Sequence, residues 1–240
     1  VKEPKALCAQ PKNTYVRACA RDSLPRRFCK RLGDVLLALP LTVFFAPLML
    51  VLTVLIFLKD PGNPFFVQTR TGRNGKPIKI LKFRTMRRHS DALETMLTPE
   101  ELALYRQEYK LNDDPRLLGY RKSGDGRRCF GAILRRTSVD ELPQILFNVL
   151  LCGNMSMVGP RPILSEELEK HYSPEEQQLF LSAKPGLTGY WQAYARNTAC
   201  YTDGRRQEME LYYAEHRSAW LDIRILFRTV VAVFSKVGAK

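Results

Sequence analysis

Residues 35–58 read VLLALPLTVFFAPLMLVLTVLIFL, 24 consecutive positions without a charge. A straight helix of this length extends about 36 Å at 1.5 Å per residue, enough to cross a bilayer's hydrocarbon core of ~30 Å. Pro40 and Pro47 interrupt the run, and Pro47 lies near its middle. Proline removes an intrahelical hydrogen bond and kinks the helix, though membrane helices tolerate this. The flanks discriminate better. Residues 21–34 carry Arg21, Arg26, Arg27, Lys30 and Arg31 against Asp22 and Asp34, a balance of +3. Residues 59–88 carry nine Lys or Arg against Asp60 alone, a balance of +8. Positive flanks stay on the cytoplasmic side, and a spanning helix would send one of these two across. A helix broken at Ala46-Pro47, with both ends on one face, satisfies both flanks. Each half would be about 12 residues, or roughly 18 Å. A spanning helix and a buried core helix are the other two readings of the same run.

The chain has 240 residues, 45% hydrophobic and 26% charged, which excludes a disordered or collagen-like chain. Such a length supports a sizeable core without disulfide staples. The net charge of +14 implies an anionic partner, whether nucleic acid, a phosphorylated ligand or a membrane surface. Cys8, Cys19, Cys29, Cys129, Cys152 and Cys200 form no C-x-x-C pair and have no histidine close by, so they read as reduced thiols rather than a zinc site. His89, His171 and His216 read as surface residues. The chain does not open on Met, which suggests trimming, and carries no cleavable signal pattern.

Outward from the apolar run, residues 1–25 read as a polar linker with Pro4, Pro11 and Pro25. Residues 26–59 are expected to form the membrane hairpin, 60–200 a cytoplasmic domain, and 201–240 an amphipathic helical segment. Phe65-Phe66-Val67 and Ile78-Lys79-Ile80-Leu81 flank Asn74-Gly75, which predicts a β-hairpin. Residues 91–111 read as one charged amphipathic helix, 112–131 as loop, and 139–151 as helix. Trp220, Ile223, Phe227, Val230, Val231 and Phe234 recur at helical spacing beside Arg224, Arg228 and Lys236. That pattern suits a helix lying in the membrane interface or one packing on the core. The expected fold class is α+β, mostly helical with a small β-hairpin, monotopic, with interfacial amphipathic helices.

Residues 135–144 read RRTSVDELPQ. Two adjacent carboxylates, Asp140 and Glu141, can divide labour, one attacking or moving a proton and the other holding a divalent cation. The plainer reading is a capping box, Ser138-x-x-Glu141. Pro143 argues against a helix capped at Ser138, because it would fall where an N–H is needed. A helix starting near Leu142 instead puts Pro143 at its favoured first position. Asp140 and Glu141 would then lie just outside a helix N-terminus, an end that attracts anions. Lys82-Phe83-Arg84-Thr85-Met86 and Val158-Gly159-Pro160-Arg161-Pro162 place cations where they could bind phosphate, although a solvated basic face would look the same.

Together these stretches resemble one family, the bacterial sugar transferases or monotopic phosphoglycosyl transferases. The resemblance rests on Asp140-Glu141-Leu142-Pro143-Gln144, Lys82-Phe83-Arg84-Thr85-Met86, Met157-Val158-Gly159-Pro160-Arg161-Pro162, Lys184-Pro185-Gly186-Leu187-Thr188-Gly189 and Trp191-Gln192. It covers roughly residues 28–240. The tail with Trp191-Gln192 and Arg196-Asn197 resembles the undecaprenyl-phosphate galactose or glucose phosphotransferase branch. The resemblance implies transfer of a sugar-1-phosphate from a UDP-sugar to polyprenyl (undecaprenyl) phosphate, at the cytoplasmic face of the bacterial inner membrane. It implies Asp140 as nucleophile, with UMP released and an acyl-phosphate sugar left. It implies Glu141, together with Asp140, at a Mg²⁺ ion, and Lys82, Arg84, Arg135 and Arg161 at substrate phosphates. It also implies membrane lipids as partners, leaves a homodimer open, and assigns no role to nucleic acid.

Two positions depart from the family pattern. The hairpin break is Ala46-Pro47 where the family has Ser-Pro, so Thr42 would have to serve the freed backbone groups. Asn154 stands where Asp or Glu is usual. A catalytically silent, membrane-anchored interaction module is the alternative of a different class. Sugar specificity is expected within Tyr190 to Asp203, and the sugar itself is not legible.

Overall fold

The computed structural model describes residues 23–88, 90, 92–108, 111, 114–120, 129–195 and 204–234. The linker expected before residue 23 and the Arg196-Asn197 pair lie outside the described residues. A 36-residue helix, α1 (Leu24–Lys59), comes first. The expected hairpin follows as β1 (Phe65–Thr71) and β2 (Pro77–Phe83). Asn74 and Gly75 take positive φ at their turn, as such a dipeptide favours.

The helix expected over 91–111 is two shorter ones, α2 (Leu93–Met96) and α3 (Pro99–Glu108). Thr98 separates them. Its N–H donates to Glu101 Oε2 at 2.9 Å, and its Oγ1 accepts from the Glu101 N–H at 3.3 Å. This is a capping box with proline at the first helical position, a local signal that outweighs the apolar spacing around it. Then come α4 (Phe130–Thr137), a 3₁₀ turn (Val139–Glu141), a π-helix (Ile145–Leu151) and β3 (Ser156–Val158). The chain ends in α5 (Ser165–His171), α6 (Pro174–Ser182), β4 (Gly186–Thr188), α7 (Tyr190–Ala195), α8 (Arg205–His216) and α9 (Ala219–Phe234).

The described residues form two compact units. The first takes its residues from 1–40, 69–80 and 145–238, and the second from 41–68 and 81–144. In the first, β3 and β4 pair in parallel, with Ser156 opposite Gly186 and Val158 opposite Thr188. Ile163, Leu168, Tyr172 and Phe180 form its buried cluster. The leading part of α1 is fastened here by polar contacts on one face. Asp34, buried, accepts from Ser156 Oγ at 2.8 Å and from the Met157 N–H at 2.9 Å. Lys30 donates to Asp222 at 2.7 Å, Arg31 to the Leu150 and Val149 carbonyls, and Arg26 to the Arg217 carbonyl. The basic flank is therefore bound to protein as well as being positive.

In the second unit the trailing part of α1 contributes Leu52 and Ile56 to a cluster with Phe83, Leu118 and Leu134. Each such side chain, fully buried, stabilises by ~1.5–3 kcal/mol. The helix runs unbroken through Ala46-Pro47, so the expected half-helices are parts of one element. Thr42 Oγ1 has no partner among the described residues, so it does not replace the missing serine hydroxyl. No residue from Leu39 to Val51 is buried, whereas Asp34 and Ala38 before them and Leu52 and Ile56 after them are.

In α9, Trp220, Ile223, Phe227, Val230 and Val231 are exposed. The opposite face packs, with Ile225 buried and Thr229 Oγ1 2.8 Å from Thr188 Oγ1. Of the two readings of this segment, packing through those apolar residues is not what the structure has.

Candidate active site

The second unit assembles the Asp140 neighbourhood. Strand β2 delivers Lys82, and the chain leaving it delivers Thr85. The Thr85 carbonyl accepts from the Leu118 N–H at 2.9 Å, and the Leu118 carbonyl accepts from the Gly131 N–H at 2.8 Å. These bonds dock the start of α4 onto the end of β2. Gly131 is required by that close approach, since a Cβ there would lie 2.2 Å from the Thr85 carbonyl oxygen and 2.8 Å from the Leu118 nitrogen. Gly131→Ala is expected to lower stability by about 3 kcal/mol. Denaturant unfolding in detergent measures this, and a value near zero would mean that the two segments part easily.

Helix α4 ends at Ser138, which takes a left-handed conformation with φ 58. That turn redirects the chain into the 3₁₀ turn holding Asp140 and Glu141. Ser138 makes no side-chain cap bond, so the capping-box reading of Ser138 and Glu141 does not hold. Helix begins at Pro143, as its first-position preference predicts. The carboxylate pair therefore stands between two helices rather than inside one.

Asp140 is 8% exposed. Burial, then the neighbouring Glu141 charge, push its carboxyl up to about 6, against the pull of Lys82 and Arg135. Glu141 is half-buried, and its Oε1 accepts from Lys82 Nζ at 2.7 Å. Arg135, on the last turn of α4, donates its Nε–H to Thr85 Oγ1 at 2.9 Å. Crowding lowers the Arg135 pKa while the Asp140 charge raises it. The side chain is nonetheless exposed, and the guanidinium stays charged at neutral pH. One buried carboxylate, one paired carboxylate, an ammonium and a guanidinium thus share one neighbourhood.

Arg84 is engaged elsewhere in the same unit. Its Nη1 lies 3.3 Å from Asp60 Oδ2, and its Nη2 donates to the Asp60 carbonyl. Arg161 belongs to the first unit. Its N–H is 3.2 and 3.4 Å from the Glu210 carboxylate oxygens, and its guanidinium carbon is 5.6 Å from the Trp191 ring centre. Burial pushes Glu210 up to about 7, with Arg206 opposing. Asn154, the departing position, accepts from Asn148 Nδ2 at 3.1 Å, an amide that also donates to the Lys79 carbonyl at 2.7 Å. Its role here is to hold a buried amide.

Sequence reasoning singled out neither Thr85 nor Asp114. Asp114 forms a buried two-bond pair with Arg116, both contacts at 2.8 Å. The Asp-Pro-Arg spacing was visible, but only the fold shows that the pair is buried. Gln144 was also passed over. It is buried, and its Nε2 has no partner among the described residues.

No cluster of three or more His, Cys, Asp or Glu suited to a metal occurs among the described residues. The described residues therefore offer no site that ligates an ion through protein groups alone. Two adjacent carboxylates do fit a hard divalent cation that draws its other ligands from phosphate oxygens and water.

Comparison with known proteins supplies the wider context. The family model for bacterial sugar transferase matches residues 25–236. The chain is 37% identical over 216 residues to undecaprenyl-phosphate galactose phosphotransferase of Salmonella typhimurium, covering 89% of this chain and 42% of that protein. It is 38% identical over 213 residues to the exopolysaccharide production protein ExoY of Sinorhizobium fredii, covering 88% and 87%. It is 35% identical over 220 residues to UDP-glucose:undecaprenyl-phosphate glucose-1-phosphate transferase of Escherichia coli, covering 89% and 42%. The chain thus spans about two fifths of the length of the Salmonella and E. coli proteins. It belongs to the bacterial sugar transferase family.

Proposed function

We propose that this protein transfers a sugar-1-phosphate from a UDP-sugar to undecaprenyl phosphate, the first lipid-linked step of exopolysaccharide, capsule or O-antigen synthesis. The observation that carries this reading is the buried Asp140, with a carboxyl pKa of about 6, beside Glu141, Lys82 and Arg135 in a chain of this family. At pH 7 a group with that pKa is roughly nine-tenths ionised and poorly hydrated, which suits a nucleophile.

In the first displacement an Asp140 carboxylate oxygen bonds to the β-phosphorus of the UDP-sugar. The bond from that phosphorus to the bridging oxygen breaks, and UMP leaves with the electron pair. In the second, a phosphate oxygen of undecaprenyl phosphate bonds to the same phosphorus, and the Asp140 carboxylate is released. Both steps bring anions together. Lys82 and Arg135 offset that repulsion at the site, and Arg161 is a further phosphate-binding candidate. Asp140 and Glu141 would hold Mg²⁺ with the diphosphate. When bound, the ion supplies Lewis-acid neutralisation of phosphate charge.

The membrane reading follows from α1 and its flanks. The flanks of the apolar run are both strongly positive, +3 over residues 21–34 and +8 over residues 59–88, so both ends of α1 lie on the cytoplasmic side by the positive-flank rule. On this reading the unburied stretch from Leu39 to Val51 is the part that dips into the inner membrane, and Pro47 is where the continuous helix would bend. The exposed apolar face of α9 lies along the interface.

The test is UMP release from UDP-galactose, UDP-glucose and N-acetylated UDP-sugars, with Mg²⁺ and undecaprenyl phosphate present. Release from one donor, dependent on the lipid acceptor, supports the reading and names the sugar. Folded protein that releases nothing from any donor points to the membrane-anchored interaction module.

A further inference from the structure

Thr85 is buried directly after β2, and its backbone is held from several sides. Its carbonyl accepts from the Leu118 N–H, the neighbouring Arg84 N–H donates to the Pro64 carbonyl at 2.8 Å, and Met86 bridges Leu117. Gly131 passes so close to the Thr85 carbonyl that no side chain fits between them. A β-branched side chain on a fixed backbone has little χ1 freedom. The Thr85 hydroxyl is therefore a fixed acceptor, and it receives the Nε–H of Arg135 at 2.9 Å.

A guanidinium is a planar fork with five N–H donors. Holding the Nε–H fixes the plane of the fork and turns its terminal N–H groups to one side. Among the described residues the Thr85 bond is the one hydrogen bond the Arg135 side chain makes, so its terminal nitrogens remain open while the Asp140 charge lies close by. An exposed arginine without such a tether samples many rotamers and must be ordered at the moment of reaction. Donors ordered beforehand stabilise charge as it develops, without reorganising.

We propose that Thr85 is a positioning residue. Its hydroxyl sets the plane of the Arg135 guanidinium so that the terminal N–H groups meet the phosphoryl oxygens of the group Asp140 attacks. Thr85 acts through Arg135 and does not touch substrate. The proposal rests on the transferase reading above.

Two substitutions separate positioning from packing. Thr85→Val keeps the shape and removes the acceptor. Thr85→Ser keeps the acceptor and removes a methyl group. Initial rates with UDP-galactose and UDP-glucose give kcat and KM for both variants, alongside melting temperatures and Asp140→Asn as control. Thr85→Val is expected to lower kcat on the order of 10- to 100-fold with KM within about threefold, and Thr85→Ser to stay within about threefold of the native kcat. Native kcat in Thr85→Val beside an inactive Asp140→Asn overturns the positioning role and leaves the transferase reading standing. Turnover by Asp140→Asn overturns both. Equal loss in Val and Ser with a lowered melting temperature assigns Thr85 to packing and overturns the proposal.

Discussion

Asp140→Asn is expected to be inactive and, above pH 6, more stable than the native chain. The two effects share one cause. Burial and the Glu141 charge raise the Asp140 carboxyl from 3.8 to about 6 in the folded state. Folded protein therefore binds that proton more tightly than unfolded chain does. The stability this adds is fully present below pH 3.8 and is lost as pH rises through 6. At pH 8 the ionised carboxylate costs the fold ~3 kcal/mol, about two pKa units at 1.36 kcal/mol each. Asparagine carries no charge to bury, so the variant escapes that cost. For a chain of this length ~3 kcal/mol corresponds to a melting shift on the order of 6–12 °C.

Thermal unfolding in detergent at pH 4 and pH 8, with chelator to remove divalent cations, measures the effect. The difference between variant and native chain should open between those two pH values. A variant no more stable at pH 8 would mean that Lys82 and Arg135 already neutralise Asp140 in full. Activity has the same origin. The neutral acid is a poor nucleophile, so kcat/KM of the native enzyme should fall below about pH 6. A variant retaining native turnover would remove the covalent step.

The local fold around this site was legible because its signals are local. Asn74-Gly75 between two apolar runs is a turn instruction, and the hairpin is there. Pro143 favours a first helical position, and helix begins there, leaving Asp140 and Glu141 just outside. What the sequence hid depends on contacts between distant residues. Lys82 and Glu141 are 59 positions apart and form an ion pair, while Arg84, two residues from Lys82, belongs to Asp60. Nothing in Lys82-Phe83-Arg84 says which cation faces the carboxylates. Burial of Asp140, which shifts its pKa, comes from packing that no spacing encodes. The charges flanking the apolar run carried two meanings at once. Lys30 and Arg31 add to the positive flank and also tie α1 to Asp222 and to the last turn of the π-helix, which only the fold reveals. The split between α2 and α3 is also local, since Thr98-Pro99-x-Glu101 is a helix start that overrides the apolar spacing of residues 93–105.

Cysteine labelling of the two ends of α1 is expected to give all-or-none modification from a single side of the membrane. Cys29 is native, free and exposed ahead of the apolar run, and Lys59→Cys supplies the other end. With the remaining cysteines replaced by serine, a membrane-impermeant maleimide should modify both positions in inside-out vesicles and neither in right-side-out ones. Opposite-side labelling would sink the re-entrant path. Pro47→Ala then tests the bend. Pro47 has no N–H for the Val43 carbonyl, and its ring clashes with that carbonyl in a straight helix, at a cost of ~3 kcal/mol. Alanine removes both effects, and the straight 24-residue run is long enough to span. Two things resist straightening. Asp34, Lys30 and Arg31 hold the leading end, and Leu52 and Ile56 hold the trailing end. On the proposed re-entrant path, a molecule that straightens gives up one of those attachments. Pro47→Ala is therefore expected to divide into two populations, one labelled from a single side and active, the other labelled from opposite sides and inactive. Uniform single-side labelling in Pro47→Ala would transfer the cause of the bend from the proline to the attachments at the two ends.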